Sequence, residues 1–74
     1  MKKFKICIDS GAKIQNFVDI MNTNCINAVL ENKDGKYRVN ACSLLGGLAT
    51  LEWEEVWVVS EQNIYSLIED FIVA

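Results

Sequence analysis

The chain has 74 residues, 51% of them hydrophobic, with a net charge of -3 and a pI of about 4.7. This suits one packed domain over residues 1–74 rather than disorder, and the acidic balance argues against a nucleic-acid surface. No apolar run nears the roughly 20 residues of a membrane span, and the start reads as alternation, not as a secretory segment.

Three cysteines without a C-x-x-C pair, in a chain with no histidine, predict free thiols in a reducing cytoplasm and no zinc site. No phosphate loop or catalytic triad is present, so neither a cofactor nor an enzymatic site is expected.

Residues 3–9 alternate, with Phe4, Ile6 and Ile8 on one side and Lys3, Lys5, Cys7 and Asp9 on the other. That is a strand with one buried face. After Ser10-Gly11, residues Ile14, Phe17, Val18 and Met21 form the stripe of an amphipathic helix, capped by Ser10 or Asp9 and ended by Asn22-Thr23-Asn24. Cys25 and the alternating Ile26, Ala28 and Leu30 predict a second strand. Asn32-Lys33-Asp34-Gly35 predicts a hairpin turn, and Lys36 to Asn40 returns with Tyr37 and Val39 inward.

At Ser43 the alternation gives way to a short helix that ends near Thr50 or Leu51. Serine suits its start because the hydroxyl can accept from an unpaired first-turn amide. Cys42 reads as a pre-helical position. Residues 53–59 read as a fourth strand, with Val56 and Val58 inward and Glu55, Trp57 and Val59 outward. Ser60 is the expected cap of a last helix whose stripe is Ile64, Leu67, Ile68, Phe71 and Ile72. The order β-α-β-β-α-β-α, with one apolar face per element, predicts a two-layer α+β sandwich.

The run Val39-Asn40-Ala41-Cys42-Ser43-Leu44-Leu45-Gly46 resembles the HPr family, the phosphocarrier proteins of the bacterial sugar phosphotransferase system. The likeness extends to the first strand, the Phe17-Val18 pair, the Asn32–Gly35 turn, the late Val-x-Val strand and the final helix. It implies an antiparallel sheet in the order 1-4-2-3, with three helices on one face.

The family's phosphate-carrying His-x-Arg-Pro motif is missing. Ser10 stands at the histidine position, Ala12 at the arginine and Lys13 at the proline. A serine phosphate ester is far more inert than a phosphoramidate, so a histidine-type carrier role is excluded. The resemblance therefore implies a non-catalytic, cytoplasmic, protein-binding or regulatory module. Its implied partners are phosphotransferase-system enzymes, a serine kinase or a transcriptional regulator.

A subset of the family is phosphorylated on the serine matching Ser43, and the adjoining apolar residues dock partners. The candidate contact residues here are Leu44 and Leu48, with Gly46 and Gly47 allowing close approach. Helical geometry is expected to turn at least one of Leu44, Leu45 and Leu48 inward. Two alternatives remain: phosphotransfer on Ser10, or a homo-oligomer built on an exposed patch of Trp57, Val29 and Cys7. The carboxylates of Glu52, Glu54 and Glu55 read as a solvated edge, since neighbours along a strand alternate faces.

Overall fold

In the computed structural model, which describes residues 2–73, strands and helices follow one another along the chain. They are β1 (Lys2–Ile6), α1 (Gly11–Thr23), β2 (Ala28–Glu31), β3 (Arg38–Asn40), α2 (Leu44–Ala49), β4 (Val56–Ser60) and α3 (Tyr65–Ile68). Two 3-10 turns, Thr50–Glu52 and Glu69–Phe71, follow α2 and α3. The sheet is antiparallel, and β4 lies between β1 and β2 to give the order β1-β4-β2-β3. This is the expected two-layer α+β sandwich.

Register explains which residues enter the core. Phe4 and Leu30 both lie opposite Val58, and Ile6 lies opposite Val56, so one row of each strand faces the helices. Ile14, Phe17 and Met21 from α1 meet them with no exposed surface, as do Ile64 and Ile68 from the α3 segment. Burying each such side chain contributes about 1.5–3 kcal/mol before entropy is charged against it. Phe17 also meets Phe71 edge to face, with ring centroids 5.3 Å apart.

Chain from Phe71 to Val73 lies along the outer edge of β1. The Cys7 amide donates to the Phe71 carbonyl, the Val73 amide donates to the Lys5 carbonyl, and Ile72 bridges to Ile6. One edge of the sheet is thereby covered, which removes a template for pairing with other chains.

Four expectations are corrected. Ser60 does not cap a helix: it is the last residue of β4 and buried, donating to the Asn27 carbonyl and accepting from the Gln62 amide. The final helix starts at Tyr65 and has no side-chain cap. Tyr37 is 63% exposed rather than inward, because β3 begins only at Arg38.

Cys25 is not a strand residue either. It takes a left-handed φ of 53° just past α1, while the Ile26 amide reaches back to the Met21 carbonyl at 2.9 Å. This is a Schellman-type helix stop, and it is hard to read in sequence because glycine or asparagine usually holds that position. Last, the stretch before Val56 is not strand, since the turn after α2 runs through Glu52.

Candidate functional site

The segment leading into α2 is tied down before the helix begins. Asn40 Oδ1 accepts from the Cys42 amide at 2.8 Å, an asparagine turn of a kind the backbone readily adopts. The Ser43 amide donates to the Asn40 carbonyl at 3.1 Å. From α1, Asn22 Nδ2 donates to both the Val18 and Cys42 carbonyls, and the Cys42 thiol donates to the Ile26 carbonyl. Ser43 then accepts from the Gly46 amide at 3.1 Å, capping the helix as expected. Asn22 looks like a mere helix terminator in sequence; its partner lies 20 residues away.

The two glycines of α2 divide its faces. Gly47 is buried against α1: a Cβ there would stand 2.7 Å from Ile14 Cγ2. It serves the helix packing and is not available to a partner. Gly46 is also close, with a Cβ 3.1 Å from that of Val39. Because glycine occupies the inward position, none of the leucines has to turn in. Leu44 is 39% exposed, Leu45 82% and Leu48 38%, which corrects the expectation that one of them packs inward. Leu51, in the following turn, is exposed as well. Leu44, Leu48 and Leu51 recur at i, i+4 and i+7, so they form one apolar ridge.

Ser10 lies at the opposite end of the helix pair. Cys42 meets Asn22 near the C-terminus of α1, whereas Gly47 meets Ile14 and Val18 further back. The two helices therefore run in opposing senses, and the two serines belong to different ends. Twelve residues of helix between Ser10 and Asn22 span about 18 Å.

Ser10 caps α1 by accepting from the Lys13 amide at 3.2 Å. Ala12 is exposed and supplies no charge. Lys13 forms an ion pair with Asp9 at 3.2 Å. Its ammonium, by hydrogen bond and charge, holds the Asp9 carboxyl below the usual value, and Asp9 in turn raises Lys13.

A pocket of about 250 Å³ opens beside this end of the molecule. Cys7 and Asp9 line it from the loop before α1, Leu51 and Trp53 from the turn after α2, Lys5 from β1, and Glu54 and Glu55 from the residues before β4.

The sheet face away from the helices carries Trp57, but it is largely self-satisfied. Lys3 sits over the indole ring at 5.3 Å and pairs with Glu31, which also holds Arg38 at 3.0 Å. Glu55 accepts from the Trp57 indole at 3.2 Å and faces both Lys5 and Lys33 at 3.9 Å. Val59 points to this side and is still only 6% exposed, beside Val29. Of the proposed patch, Trp57 and Val29 share this face; Cys7 belongs to the pocket. Such cross-strand pairs stabilise a sheet by themselves.

No helix among the described residues is long and apolar enough to cross a membrane. No family model matches the chain, and no curated protein or solved structure matches it.

Proposed function

We propose that this chain is a divergent relative of HPr, a cytoplasmic module that binds other proteins through α2 and does not relay phosphate through histidine. The observation that supports it best is the ridge of Leu44, Leu48 and Leu51, with Leu45 beside it, exposed on a helix whose inward face is glycine. Apolar side chains held outward by a packed helix form a contact surface that costs little ordering on binding.

Ser43 is the switch in this reading. A phosphate there would add roughly -1.5 to -2 charges beside Leu44 and meet the first-turn amides. Its partners are a serine kinase and the phosphotransferase enzymes or transcriptional regulator that read the helix. The Ser10 alternative has less support, because that hydroxyl is engaged as a cap and the neighbouring Lys13 ammonium is paired with Asp9.

The test is incubation with the family's serine kinase and ATP. Wild type should be labelled and Ser43→Ala should not; an unlabelled wild type ends the switch. In parallel, phosphoenolpyruvate with the general phosphotransferase enzyme should leave the chain unlabelled, and label on Ser10 would reverse the reading.

A further inference from the structure

We draw no further inference here: the strongest candidate, the apolar ridge of Leu44, Leu48 and Leu51 along the exposed side of α2, is an unpartnered face, and nothing in the structure shows what covers it.

Discussion

Ser10 and Ser43 do the same local work, each accepting from the amide three residues on. They differ in what surrounds them. Ser10 opens a helix of 13 residues whose stability rests on a buried stripe, whereas Ser43 opens a helix of only six residues. A short helix depends more on its cap, because fewer internal bonds compensate its unpaired amides. We predict that Ser43→Ala costs about 1 kcal/mol in urea denaturation, whereas Ser43→Asp is nearly neutral because aspartate caps equally well. A loss well above that for Ser43→Ala would mean the hydroxyl does more than cap. Both serines were legible in the sequence since capping is local. Cys25 was not, because its left-handed backbone is imposed by the way α1 stops and carries no glycine to announce it.

At the level of the element, α2 is governed by Gly47. The residue lies against Ile14, which has no exposed surface and cannot swing aside. Gly47→Ala is therefore predicted to destabilise by about 1–3 kcal/mol, the usual cost of overpacking. Gly11→Ala is the control. Nothing lies within 4 Å of its added Cβ, so it should stabilise by about 0.4–1 kcal/mol through the unfolded state. Thermal denaturation of the two variants distinguishes them by sign. The pair of glycines was visible in sequence as a site of close approach, but which glycine faced inward was not. Leucine spacing alone cannot say which side of a six-residue helix is covered, and here the covered side holds no leucine. Asn22 escaped notice for a related reason: its bond to Cys42 joins two elements that only the fold brings together.

Over the whole molecule, the two edges of the sheet are managed differently. β3 is an edge strand of three residues, while β1 is covered by the chain near Ile72. Deleting residues 72–74 removes the Val73–Lys5 hydrogen bond and a half-buried isoleucine. The expected loss is about 1–2 kcal/mol, or a fall in Tm of roughly 5–15 °C for a domain of this size. Light scattering should show association as the β1 edge is bared. An unchanged Tm would mean that the tail contributes nothing to the sheet.

Periodicity alone determined that this chain alternates strands and helices, that each has one apolar side, and that its core draws on Ile14, Phe17, Val18, Met21, Leu30, Val56 and Val58. Those are statements about neighbours a few residues apart, and backbone geometry converts them directly into faces. Which strand lies in the middle does not follow from periodicity. Nor does the place where the last helix starts, or the way the leucines after Ser43 point. Those outcomes depend on contacts between distant segments, and only the tertiary structure decided them: β4 threaded between β1 and β2, Ser60 drawn into the sheet, and Gly47 pressed onto Ile14 so that the ridge beside it stayed in solvent.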